Sequence, residues 1–436
     1  MSEFKPQERI LSLDAFRGLT IAAMVLVNNP GTWSAIYGPL RHAPWHGITP
    51  TDHIFPFFLF IVGVAIPVAF TKRLAESPKR ELYRKILVRS AAIFASGWAI
   101  SAIPFFVIAE TTIPWPLKWL AVLAIVAALF FLYIRKFKIV AALVAVWAVI
   151  ILGFYFSGWE VTPYNVAGMR IFGVLQRIAV CYLFASVIFI NFGWKAQVII
   201  TAALLLGYWA LMTLVPVPGC DVTSINDKAC NLAAWLDRTV LTEAHIWRGG
   251  KVYDPEGILS SVPAIATTLI GVLTGSKLIA KGDAAEDEVR SSMQTAARMF
   301  FWGTILLALG WSWSLVFPLN KSLWTSSYAV YTGGLALLTL GVCYYLIDVL
   351  RYKRWAKPFI IFGVNALALF VFSGILARML GIIQFADLSL QQWIYQTFFL
   401  TWLSPLNASL AYALSFIILW FFLMWLLYRR RVFIKI

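Results

Sequence analysis

The sequence predicts a polytopic, all-α membrane protein. Three observations carry that prediction. Of 436 residues, 61% are hydrophobic and only 13% are charged, against about 25% charged in soluble domains. Apolar runs of roughly 20 residues, enough to cross a bilayer as a helix, recur along the whole length. The short alternating segments of a β-barrel are not visible. The net charge of +16 would point to nucleic acid in a soluble chain. Here the basic residues collect in short loops, where they fix orientation, so the expected partner is the lipid bilayer and no nucleic acid.

Taken in order, the apolar runs give about twelve spans, within a range of about 10–12. They fall near 12–29, 54–71, 86–108, 117–134, 139–157, 170–190, 196–215, 258–276, 297–317, 327–348, 358–381 and 406–428. The first begins beside Asp14 and Arg17 and lacks a small-x-small cleavage site, so it is not read as a removable signal peptide. The runs 117–134 and 139–157 are joined by the basic turn Arg135-Lys136-Phe137-Lys138 and read as a helical hairpin. Lys5 and Arg9 precede the first span, and the loop after the second carries Lys72, Arg73, Lys79, Arg80, Arg84, Lys85 and Arg89. A basic turn at 351–357 and the closing Arg429-Arg430-Arg431 continue the pattern. Their alternation with weakly basic loops puts both termini in the cytoplasm, and the turn 30–53 and loop 216–257 on the far side. The connection 277–296, with Asp283, Glu286, Asp287 and Glu288, argues for neither side. One domain, 1–436, is expected, with a hairpin insertion near 117–157 and an extracytoplasmic loop near 216–257. That loop, about forty residues, is long for a connection without function.

Of the four cysteines, Cys181 and Cys343 lie inside apolar runs and read as packing residues. Cys220 and Cys230 share the long loop; whether they pair depends on its compartment, and their number does not decide it. No metal-ligand spacing is present and no metal is expected.

Polar and titratable groups crowd into residues 12–63, and such groups are costly at membrane depth. His42, beside Arg41, Pro44 and Trp45, can exchange protons near neutrality, although an interfacial histidine beside a Trp anchor is the simpler reading. His46 follows in the same turn. Asn28 ends the first span, where an amide caps a helix or donates to a developing oxyanion. Asp52 opens the second span, where an acid suits a helix start; orienting a histidine is the sharper alternative. Arg17 and Asp14 are one turn apart and fit an intrahelical ion pair, or Arg17 faces an anionic ligand. Gln176 and Arg177 raise the same question in span 170–190, since an arginine in an apolar run needs a partner or water. Asp254 and Glu256, in Tyr253-Asp254-Pro255-Glu256-Gly257, suit a helix N-terminus; a carboxylate pair there also fits an amine or sugar hydroxyls. Asn320-Lys321-Ser322-Leu323-Trp324 and Asn365 complete the polar groups near span ends.

In this order the segments resemble the heparan-α-glucosaminide N-acetyltransferase family and its bacterial relatives. The matching pieces are Ser12-Leu13-Asp14 through Arg17-Gly18, Val27-Asn28, His42-Ala43-Pro44-Trp45-His46-Gly47, Asp52 with Phe55-Pro56, and Gly173-Val174-Leu175-Gln176-Arg177. Val217-Pro218-Gly219-Cys220, Tyr253 through Gly257, Asn320 through Trp324, Asn365-Ala366 and Leu427-Tyr428-Arg429 follow. The resemblance implies transfer of an acetyl group from cytosolic acetyl-CoA to the amine of a glucosamine unit on the opposite face, with His42 matching the catalytic histidine. Position and motif together suggest Asp52 for holding the His42 tautomer and Asn28 for the oxyanion. Arg17, Gln176 and Arg177 are expected at the coenzyme, and Asp254, Glu256, Trp45, His46 and Asn365 at the acceptor. Two departures from the animal enzymes are the missing amino-terminal luminal domain and the 117–157 hairpin; the amino-terminal difference suggests a relative of the bacterial inner membrane. His42 acts either as general base or as an acetyl-imidazole carrier. The alternatives are an O-acyltransferase for an envelope glycan or lipid, and a small-solute transporter built on broken helices. A homodimer is left open.

Overall fold

A computed structural model describes residues 10–107, 112–279, 288–385 and 387–434. Lys5 and Arg9, used above to argue sidedness, and Asp283, Glu286 and Asp287, which argued for neither side, lie outside these residues. The helices are α1 (Leu11–Asn28), α2 (Ile54–Glu76), α3 (Lys79–Ala102), α4 (Trp115–Tyr133) and α5 (Phe137–Phe156). Next come α6 (Val174–Asn191), α7 (Trp194–Leu214), the short α8 (Leu232–Leu241), α9 (Ser261–Ile279) and α10 (Glu288–Trp313). α11 (Ser326–Tyr344), α12 (Lys357–Val364), α13 (Ala366–Ile382), α14 (Leu390–Ile394) and α15 (Pro405–Arg429) close the chain. The only strands among the described residues are a two-residue pair, Gln384–Phe385 with Leu388–Ser389.

The protein is thus a polytopic all-α membrane protein. Among the described residues nine helices are long and apolar enough to span a bilayer, or ten if the bent pair α12–α13 is one span. Every predicted span has a helical counterpart. The count drops because α3 spends its first turns on Lys79, Arg80, Arg84, Lys85 and Arg89, and α10 opens with polar turns. The predicted span 358–381 is not continuous: α12 and α13 meet at 79°. Asn365 sits at the break. Its Nδ2 donates to Val432 O at 3.1 Å and its Oδ1 accepts from Ile434 N at 2.8 Å, so the amide serves the tail's backbone and not a helix ladder.

α2 and α9 pack together at the centre of the bundle, and α9 also meets α6, α7 and α11. In lipid, helices associate by close packing, and small residues let their backbones approach. A Cβ added at Gly271 would lie 2.1 Å from Phe60 O, and one at Gly63 would lie 2.0 Å from Thr268 O. α1 packs on α12 in the same manner, with Gly18 against Phe359 and Gly363 against Asp14. α10 pairs with α11, and α4 with α5, whose residues are largely exposed. Cys181 and Cys343 are buried and free, as packing residues should be.

Two irregular segments meet at one end of α2, α7, α9 and α11. One is the α1–α2 connection, which holds His42; the other runs from α7 to α9 and holds α8. Cys220 and Cys230 form a disulfide in the latter. Asn231 caps α8, its Oδ1 accepting from Ala234 N at 2.9 Å.

Candidate active site

The site begins with the turn before α2. Pro50–His53 is a 3₁₀ turn with proline at its start, where the missing N–H costs nothing. Thr49 and Asp52 close it as a reciprocal capping box. Asp52 is fully buried. Its Oδ2 accepts from Thr49 N (3.0 Å), Thr49 Oγ1 (3.0 Å) and Ala43 N (3.1 Å), and its Oδ1 lies 2.6 Å from His42 Nδ1. Asp52 therefore both caps the turn and orients His42. A carboxylate only accepts, so His42 Nδ1 carries the proton and Nε2 presents its lone pair. Tyr328 of α11 donates to Asp52 O at 2.5 Å and fixes the turn from below. The His42 side chain remains 48% exposed, so a substrate can reach it.

Lys321 faces the same imidazole. Its Nζ is 3.0 Å from Nδ1, 3.1 Å from Nε2 and 3.8 Å from Asp52 Oδ1. Near-equal distances to both ring nitrogens set the ammonium against the ring and not in line with one lone pair. The preceding residue, Asn320, is buried and builds the turn: Oδ1 accepts from Leu323 N at 2.8 Å. Burial pulls the Lys321 ammonium below its ordinary range, against the opposing pull of Asp52 and Glu256.

Trp45 and His46 anchor the segment. Trp45 Nε1 donates to Ile225 O at 2.9 Å, and its ring meets Tyr253 edge-on at 5.0 Å. His46 Nε2 donates to Asn226 Oδ1 at 2.9 Å, while Nδ1 accepts from Asn320 Nδ2 at 3.3 Å. Burial lowers the His46 pKa, and the two bonds suit a neutral ring with its proton on Nε2. Both residues thus tie the His42 segment to the disulfide loop.

Asp254 and Glu256 share a partner that sequence reasoning missed. Arg170, in the connection before α6, bonds both carboxylates, with Nε 2.9 Å from Asp254 Oδ2. The sequence signal was an unexplained arginine at a span edge. Burial raises Asp254; Glu256, also disfavoured by burial, is held below its ordinary value by Arg170, Arg177 and Lys321. Beneath them, burial pushes the Asp237 carboxyl of α8 up to about 7.

Arg177 is fully buried, donates to Gly257 O at 3.3 Å and to Ser260 Oγ, and lies 5.1 Å over the Trp324 ring. It belongs to the same charge network as Glu256 and Lys321. Arg17 is elsewhere, about 16 Å from Asn28 along α1 at 1.5 Å per residue. It bonds Asp14 at 3.0 Å and reaches Gly363 O at 3.4 Å. Arg17 and Arg177 therefore belong to separate polar clusters, one with Asp14 and Gly363 and one with Gly257, Ser260 and Glu256. Gln176 packs over Gly97 and donates to Phe94 O at 3.4 Å. Asn28 is exposed at the end of α1 and has no hydrogen bond to His42 or Asp52 among the described residues. Asn365 holds the tail and has no hydrogen bond to His42 among the described residues.

The fold and this constellation define a class: a multi-pass membrane protein with an accessible histidine–carboxylate pair at one end of its bundle. Residues 9–169 match the family described as heparan-alpha-glucosaminide N-acetyltransferase, catalytic. The chain is 26% identical over 413 residues to human heparan-alpha-glucosaminide N-acetyltransferase, covering 83% of this chain and 52% of the human protein. It is 25% identical over 389 residues to the mouse protein of the same name, covering 83% of this chain and 53% of that protein. The chain spans about half the length of these curated relatives. The resemblance drawn from the ordered motifs is upheld, and the matched region contains Arg17, Asn28, His42 and Asp52.

Proposed function

We propose that this chain is a membrane acetyltransferase. It takes an acetyl group from the thioester of acetyl-CoA on the cytoplasmic side and delivers it to the amine of a glucosamine-type sugar on the other side. The observation that carries this reading is the His42–Asp52 pair at 2.6 Å inside the region that matches an N-acetyltransferase family. The relatives' names supply the acetyl group and the amino sugar. In this reading His42 Nε2 removes the acceptor's proton as its nitrogen attacks the thioester carbonyl. Asp52 holds the required tautomer and stabilises the imidazolium. The C–N bond forms, the C–S bond breaks, and the proton passes from Nε2 to the departing thiolate. The unprotonated Nε2 of that tautomer also suits the two-step route through an acetyl-imidazole. The broken α12–α13 helix beside Arg17 is where the coenzyme's phosphates would meet cations, from Arg17 and the basic turn 351–357.

The test is acetyl transfer by purified protein from labelled acetyl-CoA to glucosamine. Wild type is expected to give N-acetylglucosamine and His42→Ala less than about one-hundredth of its rate, with unchanged thermal stability. Equal rates for the two proteins would remove His42 from the chemistry.

A further inference from the structure

We infer that Lys321 is a catalytic residue of this transfer site, the cation that receives the carbonyl oxygen when the thioester is attacked. The inference rests on the acetyltransferase reading and adds a role that the motifs did not assign. Three observations point to it. The Lys321 ammonium lies 3.0 and 3.1 Å from the two nitrogens of His42, closer than any other cation among the described residues. An amine bonded to Nε2 that attacks a carbonyl places the carbonyl oxygen roughly 3–5 Å from that nitrogen, within reach of such a donor. Asn28, expected for this task, has no bond to the pair among the described residues, whereas Lys321 is already seated there with its side chain only 22% exposed.

The surrounding charges fit the task. Asp52, from the turn before α2, and Glu256, from the segment before α9, face the ammonium; Arg177 of α6 lies behind it, and His42 is in front. His46, on the neighbouring segment, is bonded to Asn320 and Asn226 and stays out of this contact. The carboxylates keep a cation in place without covering it, and burial makes that cation a strong donor in a site of low polarity. In the step itself, the carbonyl π electrons move to oxygen as the C–N bond forms. Lys321 donates a hydrogen bond to that oxyanion and keeps its proton. Collapse restores the C=O bond and expels the thiolate, which takes the proton held by His42.

The test compares the steady-state kinetics of Lys321→Met and Lys321→Arg with wild type. Lys321→Met is expected to lower kcat about 10²-fold with the KM for acetyl-CoA nearly unchanged. Lys321→Arg keeps a cationic donor and should recover at least a tenth of the wild-type rate. A merely structural lysine would lower thermal stability along with the rate, and arginine would not restore kcat selectively. Wild-type kcat in Lys321→Met, or a Lys321→Arg no faster than Lys321→Met, overturns the assignment. If Lys321→Met does not fold, Lys321→Gln gives the same neutral comparison. An inert His42→Ala beside a normal Lys321→Met overturns this inference alone; a wild-type protein that transfers no acetyl group overturns the underlying reading and this inference with it.

Discussion

At the scale of single residues, the account turns on what Asp52 does to His42. Three of its four accepted bonds build the turn and the fourth sets the tautomer. Asp52→Asn separates these jobs. The amide oxygen still accepts from Thr49, but its NH2 donates toward the ring, which must then carry its proton on Nε2. We expect kcat to fall about 10²–10⁴-fold, as it does when other histidine-orienting carboxylates become amides, with a loss of stability near 1 kcal/mol. Steady-state kinetics and thermal melting measure both; a variant with normal turnover would show that Asp52 is a cap and nothing more. The sequence made His42, Asp52 and their proximity legible, because two short apolar runs force the intervening turn to one membrane face. It did not make Arg170, Lys321 or the position of Arg177 legible. Those depend on which helices lie side by side, and the cationic partners of Asp52, Asp254 and Glu256 come from residues about 85 to 270 positions away.

At the scale of elements, the segment 42–47 is held by the turn before α2, by the turn at Asn320 and, at Trp45 and His46, by the disulfide loop. Ile225, Asn226 and Lys228, all between Cys220 and Cys230, touch Trp45 or His46. Opening the disulfide frees that loop while leaving the capping box and the helices intact. Cys220→Ser with Cys230→Ser is expected to reduce kcat several-fold and to lower stability by about 2–3 kcal/mol, and a reductant should do the same to wild type. Full activity in both cases would show that the loop does not position His42. Whether the cysteines pair was open in the sequence, since their number and spacing suit a pair or two thiols; contact between the loop's ends decides it. The break at Asn365 was equally hidden. An apolar run reads as one helix, and only the approach of Val432 and Ile434 shows why the chain turns there.

At the scale of the whole molecule, hydropathy made the all-α bundle legible, because backbone polar groups in lipid must be satisfied internally and a continuous apolar run of roughly 20 residues does so as a helix. Each apolar run became helical, and charged turns lengthen some of these helices beyond their apolar part, as in α3. The bundle separates two polar regions: Arg17, Asp14 and the α12–α13 break lie toward the start of α1, and His42 lies beyond its end. That separation is what an enzyme needs if its anionic donor and its sugar acceptor arrive from opposite sides of a bilayer. The most direct measurement seals labelled acetyl-CoA inside proteoliposomes and supplies glucosamine only outside, selecting molecules whose basic loops face the lumen. The account predicts acetylated sugar in the outer solution for wild type and none for His42→Ala. Label that leaves the vesicles as intact acetyl-CoA, or product that forms equally well with His42→Ala, would contradict it.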